Sequence, residues 1–396
     1  MAIYDVAIVG AGPAGSTAAR ELAKAGARVC LLDRAQFPRA KACGGALSPR
    51  ILRLLPAGAE ALFRSQIRRA VFTYRLERPF ELRSSVPMGY MVCREEFDAW
   101  LRTAAEEAGA RVLEGAAVQS IERVGSQFLL RAAGKLLHAS CVVGADGANS
   151  RVAAQLFPRR VPALFVGLEA EVPGGDGEWE DTVRVDVGRY PGGYAWAFPK
   201  GDRVNVGVMM EYGRSRDLRR VLQAFVAGSP GLPAEAGIGQ RAAPIAALGA
   251  EPAPCALDGV ILVGDAARLA DPFLGEGIYY AVRSGSLAAT ALITGRDLAD
   301  GAGRYAKAIA ETIWPDLRAA SRIAALFHRM PRWWHRILSR MPAALLQHVA
   351  VLAGEQSYTG LLRHVIERIE TTAGGWFCER LGLGRAEELT GRRGYY

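Results

Sequence analysis

The chain has few cysteines and no paired spacing among them. Cys30, Cys43, Cys93, Cys141, Cys255 and Cys378 are scattered through 396 residues. That pattern argues against a disulfide framework or a zinc site, and it suits a reducing cytoplasm. No uninterrupted apolar run is long enough to cross a bilayer. The start, MAIYDVAIVG, leads directly into a strand, with no basic region before a long apolar segment, so no signal peptide is expected. Low-complexity linkers and internal repeats are absent. From Leu317 to Gly354 there is no acidic residue, while Arg318, Arg322, Arg329, Arg332, Arg336 and Arg340 accumulate.

The remaining composition is that of a globular protein, with 50% hydrophobic and 22% charged residues and a net charge of +9. The length predicts two or three structural units. The late basic stretch reads as a solvated helix face or as a patch for an anionic membrane surface. Ile323, Leu326, Phe327, Met330, Trp333, Trp334, Ile337, Leu338 and Met341 fall on one arc at helical spacing, and the arginines on the other. Pro331 and Pro342 are expected to split this run into separate helices. No nucleic-acid partner is expected.

Glycine is plentiful and placed with a pattern. Tyr4 to Val9 reads as a strand, Ser16 to Ala25 as a helix ending at Gly26, and Arg28 to Leu32 as a second strand closed by Asp33. Between strand and helix stands Gly10-Ala11-Gly12-Pro13-Ala14-Gly15. These glycines allow a tight turn, close approach of backbone to a diphosphate, and close helix packing. The helix N-terminus then faces the phosphates, and Asp33 can accept from a ribose. Arg34 beside it would suit a 2′-phosphate. Two further segments continue the theme: Gly144-Ala145-Asp146-Gly147, and Gly264-Asp265 followed by Pro272 to Ile278 (PFLGEGI). Asp265 stands where a carboxylate could meet the hydroxyls of a polyol chain. Pro272, Gly275 and Gly277 form a turn whose N–H groups could meet a flavin's pyrimidine edge. In this order the three segments describe FAD held at its diphosphate, mid-chain and flavin end. No second dinucleotide fingerprint is visible.

Short β segments are expected over 66–92, a helix from Glu95 to Ala108, strands over 112–143, and a strand-rich stretch over 160–210 with turns at Gly174-Gly175 and Gly192-Gly193. The fold class is therefore α/β (α+β), a Rossmann-like cofactor domain interrupted by an antiparallel-sheet domain. The expected division is 1–65, 93–155 and 246–295 for FAD, 66–92 and 156–245 for substrate, and 296–396 for a C-terminal helical region. Tyr194, Trp196 and Phe198 alternate along one strand and so share a face.

The three segments resemble those of the p-hydroxybenzoate hydroxylase-like flavoprotein superfamily. Lys41 to Arg50 (KACGGALSPR), Tyr90 to Asp98 (YMVCREEFD) and Tyr190 to Lys200 (YPGGYAWAFPK) are similar to motifs of its geranylgeranyl reductase family. The resemblance covers about residues 1–295. It implies FAD contacts at Ala14, Asp33, Cys43, Gly44, Arg94, Val118, Asp265, Gly277 and Ile278; Gly45 and Asp146 join them from the glycine segments. It implies reduction of isolated carbon–carbon double bonds in a prenylated lipid, chlorophyll or quinone, with NAD(P)H or a reduced ferredoxin as donor. Cys43, Tyr194 and Trp196 are then the candidate catalytic residues, and Tyr194, Trp196 and Phe198 the wall of an apolar substrate cavity. Cys43 is expected beside the flavin, tuning redox state or responding to oxidation. A flavin monooxygenase or halogenase on the same fold is the alternative, although a halogenase is expected to carry tryptophan in place of Tyr194. A relative of the electron-transfer flavoprotein-quinone oxidoreductases would need an iron–sulfur cluster, for which the cysteine spacing makes no provision. The expected location is the cytoplasm, with possible peripheral contact at the membrane through the basic helices.

Overall fold

The computed structural model describes residues 3–157, 165–174, 177–214, 217–233, 241–245 and 254–373. Gly175, the boundary at 246, Cys378 and the end of the 296–396 region lie outside the described residues.

The first strand, Ile3–Val9, sits inside an eight-stranded sheet. It pairs in parallel with Val29–Leu32 on one side and with Lys135–Gly144 on the other. Arg111–Leu113 and Val260–Leu262 extend the parallel arrangement outward. A hairpin of Val118–Val124 and Gln127–Ala132 folds antiparallel onto Lys135–Gly144. All four residues of Val29–Leu32 are buried, as expected for a parallel strand covered on both faces. The first helix spans Pro13–Lys24 and so begins three residues before the predicted Ser16. Gly12 caps it and Pro13 takes the first helical position, where a missing N–H costs nothing.

A seven-stranded sheet draws on two stretches of chain, Arg69–Tyr74 with Glu77–Arg83 and then Phe165 to Ile245. Its pairings are antiparallel except where Thr182–Val187 runs parallel to Arg69–Tyr74. The period of two divides its faces. Ala195, Ala197, Val204, Val206 and Val208 pack with Leu222, Phe225 and Val226 of helix Leu218–Ala227. Tyr194, Trp196, Phe198 and Met209 face the other way, into a large cavity. A three-stranded sheet of Ala46–Leu47, Gly89–Val92 and Phe63–Ile67 lies beside the cavity.

Helices Leu298–Thr312, Trp314–Arg329, Pro331–Arg340, Leu346–Ala353 and Tyr358–Ala373 complete the described chain. Pro331 starts a new helix and Pro342 a short 3₁₀ turn, as predicted from the sequence. Among the described residues no helix is long and apolar enough to cross a membrane.

The cofactor end depends on one close approach. Helix Ile278–Thr294 crosses helix Pro13–Lys24 so tightly that a Cβ on Gly285 would stand 2.3 Å from the carbonyl oxygen of Ala14. The neighbour here is backbone and cannot turn aside. Gly285→Val is expected to lower unfolding free energy by about 1–3 kcal/mol through overpacking, read from urea denaturation, with weakened FAD retention.

Candidate active site

A single cavity of about 1160 Å³ runs from the first glycine loop to the C-terminal helices. At the loop end, Gly10 (φ +106) needs the absence of a side chain, because a Cβ would meet Ala145 O at 2.3 Å. Gly15 turns away from the cavity and packs on Gly10, its Cβ position 1.9 Å from that carbonyl oxygen. Gly12 is different. A Cβ there would meet only the Arg39 guanidinium at 3.6 Å, so its backbone faces open space at the helix N-terminus. Pro13 and Ala14 continue this wall. Asp33 accepts the N–H of Ala11 at 2.8 Å and of Ala35 at 2.8 Å, and it lines the cavity with Arg34 and Val118. A narrow, backbone-lined groove with a carboxylate at its far edge suits the diphosphate and ribose of FAD.

Asp146 also lines the groove, but its carboxylate caps helix Arg151–Leu156. It accepts from Ser150 Oγ at 2.6 Å and from the N–H groups of Arg151 and Val152 at 2.6 and 3.2 Å. Arg94 is buried and paired through two nitrogens with Asp98, at 2.8 Å each. Arg39 approaches the same carboxylate at 3.2 Å. This fork holds Arg94 against the cavity. Burial raises the pKa of Asp265, opposed by the charges of Lys41 and Arg94.

The two motifs that carried the family resemblance meet in space. A Cβ on Gly44 would stand 2.9 Å from Phe198 Cδ2 and 3.3 Å from Trp196 Nε1. Gly45 has φ +75, and the Cys43 sulfur accepts its N–H at 3.4 Å. Tyr194, Trp196 and Phe198 form a ladder with ring centroids 5.9 and 6.1 Å apart, and all three line the cavity. The Tyr194 hydroxyl donates to the carbonyl of Leu274. Trp196 lies over Gly207, where a Cβ would fall 2.1 Å from Cζ2 of its ring.

Across that glycine lies a residue the sequence did not single out. Glu169 pairs with Gly207 in register, is 5% exposed, and lines the cavity. Trp196 Nε1 donates to Asn205 Oδ1 at 2.8 Å, and Asn205 Nδ2 donates to Glu169 at 3.1 Å and Glu171 at 2.9 Å. Lys200 Nζ joins Glu171 at 3.0 Å to the Cys43 carbonyl at 3.4 Å. Burial raises the Glu169 pKa above the usual carboxylate value, against the Asn205 hydrogen bond and the Lys200 charge. Strand register sets Glu169 and Glu171 beside Asn205 of the adjoining hairpin, and the Lys200 side chain adds the Cys43 loop.

At the opposite wall, Asp271 shapes the turn that Pro272 begins. Its carboxylate accepts from the N–H of Phe273 at 2.8 Å, the N–H of Leu274 at 3.1 Å and the Tyr358 hydroxyl at 2.8 Å. Gly275, Gly277 and Ile278 line the cavity, whereas Pro272 does not. A Cβ on Gly275 would meet Met209 Sδ at 3.2 Å. The apolar arc of the C-terminal helices mostly faces inward. Ile323, Leu326, Phe327, Trp334 and Leu338 line the cavity, while Trp333 and Met341 remain 43% and 53% exposed. His328 and His348 stand in the same roof with Nε2 atoms unpartnered, and burial pushes both down to about 4.

Burial raises Asp271 from 3.8 to about 6. In that window the folded protein keeps a proton that the unfolded chain releases, so stability from this group falls as pH rises from about 4 to about 6. Asp271→Asn is expected to flatten that part of the stability–pH curve, measured by urea denaturation across the window.

Comparison with known proteins agrees with this geometry. The family described as FAD binding domain matches residues 3–168. A geranylgeranyl diphosphate reductase from Rhodobacter capsulatus is 36% identical over 305 residues, covering 73% of this chain and 74% of that protein. A digeranylgeranylglycerophospholipid reductase from Methanopyrus kandleri is 33% identical, over 72% of this chain and 79% of its own. The crystal structure of a geranylgeranyl bacteriochlorophyll reductase-like protein from Thermoplasma acidophilum superposes with a TM-score of 0.78 at 24% identity, covering 96% of this chain and 99% of that one, a likeness of fold. An FAD groove, an aromatic ladder against a cysteine–glycine loop, and this sequence identity over most of the chain lead to one conclusion: the protein belongs to the geranylgeranyl reductase family of FAD-dependent oxidoreductases.

Proposed function

We propose that the protein saturates isolated carbon–carbon double bonds in the prenyl chain of a lipid-like substrate. The observation that carries this reading is the continuity of one cavity from the dinucleotide groove to an apolar chamber. Beyond the ladder, its walls are Phe72, Phe80, Leu82, Val183, Val185 and Val187 from the sheet, with Leu338 and Leu345 from the roof. Such a chamber takes up a hydrocarbon chain and excludes water.

Bound in the groove between Gly12, Asp33 and the Gly275–Ile278 turn, reduced FAD would supply the hydride. The chain's own residues do the rest. An isolated alkene offers no carbonyl on which charge can be stabilised, so alignment must contribute much of the rate. Tyr194, Trp196 and Phe198 hold the chain flat beside the Cys43–Gly45 loop, with Tyr194 anchored by its hydrogen bond to Leu274. One alkene carbon would take the hydride and the other a proton, so that each C=CH unit of the prenyl chain becomes CH–CH2. Glu169 is the acid we assign to that proton, since it is buried, borders the ladder and has a raised pKa. Cys43 stands where its sulfur borders both loop and cavity, in keeping with a redox-tuning role.

In this reading 1–65, 93–155 and 246–295 serve the cofactor, 66–92 and 156–245 the substrate, and the helices after 296 close the chamber. Electrons come from NAD(P)H or a reduced ferredoxin. The basic outer face, with Trp333 and Met341 exposed, supports contact with an anionic membrane surface where such substrates reside.

Anaerobic incubation of dithionite-reduced holoprotein with prenyl substrates is expected to add two hydrogens per double bond, read by mass spectrometry. Product formation only with oxygen would instead establish a monooxygenase or halogenase. Glu169→Gln is expected to keep FAD and lower kcat by about 10²–10⁴-fold, with KM little changed; an unaltered kcat would remove Glu169 as the acid.

A further inference from the structure

A second, smaller cavity of about 260 Å³ opens where helix Pro331–Arg340 lies on the hairpin of Arg69–Tyr74 and Glu77–Arg83. Four arginines line it: Arg78 from the hairpin, and Arg332, Arg336 and Arg340 from successive turns of the helix. Tyr74 and Ser339 add two hydroxyl groups, and among the described residues no carboxylate lines the space. Among the described residues none of the four arginines forms an ion pair. Four uncompensated guanidinium groups around one small space repel one another and favour an anion between them.

His335 is the wall shared by this space and the main cavity, because it lines both. It is only 5% exposed, and its Nε2 has no hydrogen-bond partner. Its ring stands edge-on to Phe80 at 5.0 Å and tilted against Tyr74 at 6.0 Å. The carboxylate that acts on it, Asp186, is already engaged by Thr73 Oγ1 at 2.6 Å, the Leu76 N–H at 2.7 Å and the Tyr190 hydroxyl at 2.8 Å. On the main-cavity side of His335 the walls are Phe72, Phe80 and Leu338, without a cation. The cations that do line the main cavity, Arg34, Arg39, Lys41, Arg94 and Arg151, come from the cofactor loops and the segment after Asp146. A phosphorylated head carried on a prenyl chain therefore meets no counter-charge within the chamber itself. It meets four in the adjoining space.

We infer that the arginine cavity is a headgroup site, which holds the phosphoryl anion of a prenyl substrate while the chain passes His335 into the chamber. The inference rests on the prenyl-reductase reading and narrows it to substrates with an anionic head. A prenyl diphosphate and a prenylated glycerophosphate share that chemistry. Neutral quinones and free prenyl alcohols do not.

The test uses FAD-loaded full-length protein and the double variant Arg336→Gln/Arg340→Gln, both positions being exposed and remote from the aromatic ladder. In calorimetric titration, inorganic pyrophosphate is expected to bind the parent protein and to bind the variant about tenfold or more weakly per lost charge-assisted contact. In turnover, KM for geranylgeranyl diphosphate is expected to rise by a similar factor with kcat held, while geranylgeraniol is reduced equally by both proteins. A parallel arm with digeranylgeranylglycerophosphate in neutral detergent shows which phosphoryl source suffers more. Absence of pyrophosphate binding, or equal binding by both proteins, would overturn the inference. So would equal effects on the diphosphate and the alcohol, or a loss confined to adsorption on anionic phosphatidylglycerol vesicles. If no prenyl compound is reduced, the reductase reading fails, and the pyrophosphate titration still decides whether the anion site exists.

Discussion

The contact of Gly44 with the rings of Trp196 and Phe198 is the constraint around which the cavity is organised. It joins a loop of the cofactor-binding sheet to the inner face of the second sheet, and it leaves no room for a side chain. The approach is reinforced from behind by Lys200, which bridges Glu171 and the Cys43 carbonyl. Because that loop and the ladder are both in van der Waals contact, the two sheets share one cavity instead of enclosing two. The cysteine–glycine loop and the aromatic ladder thus border the same space.

Local signals in the sequence were enough for elements whose job is set by neighbours close in the chain. The glycine loop, Asp33 and the alternating Tyr194, Trp196 and Phe198 are of this kind, since a turn or a two-residue period displays itself within a short window. Glu169 and Asn205 were not legible. Each looks like an ordinary polar residue in a strand, and only the pairing of Phe165–Pro173 with Arg203–Glu211 sets them beside Trp196. Asp146 illustrates the opposite limit: its position in a glycine segment was evident, while its use as a helix cap depended on how the following residues turned.

The C-terminal helices show why amphipathic spacing alone leaves a question open. The apolar arc around Leu326 and Trp334 was plain, and so were the arginines opposite. What the arc faces could not be read, because a buried core, a membrane and a ligand all demand the same spacing. Here it packs partly into a small core with Tyr358, Leu362 and Ile366, and partly over the chamber. The proline at 331 matters to this outcome, since it redirects the chain so that His335 comes to lie against Phe80.

Tyr358 gives its hydroxyl hydrogen bond to Asp271, whose carboxylate also holds the turn leading to Gly275. One side of that bond belongs to the helices over the chamber, and the other to the turn that carries Gly275 and Gly277 into the cavity wall. The two walls are thus tied through one carboxylate, and neither can be displaced from it without breaking a buried hydrogen bond.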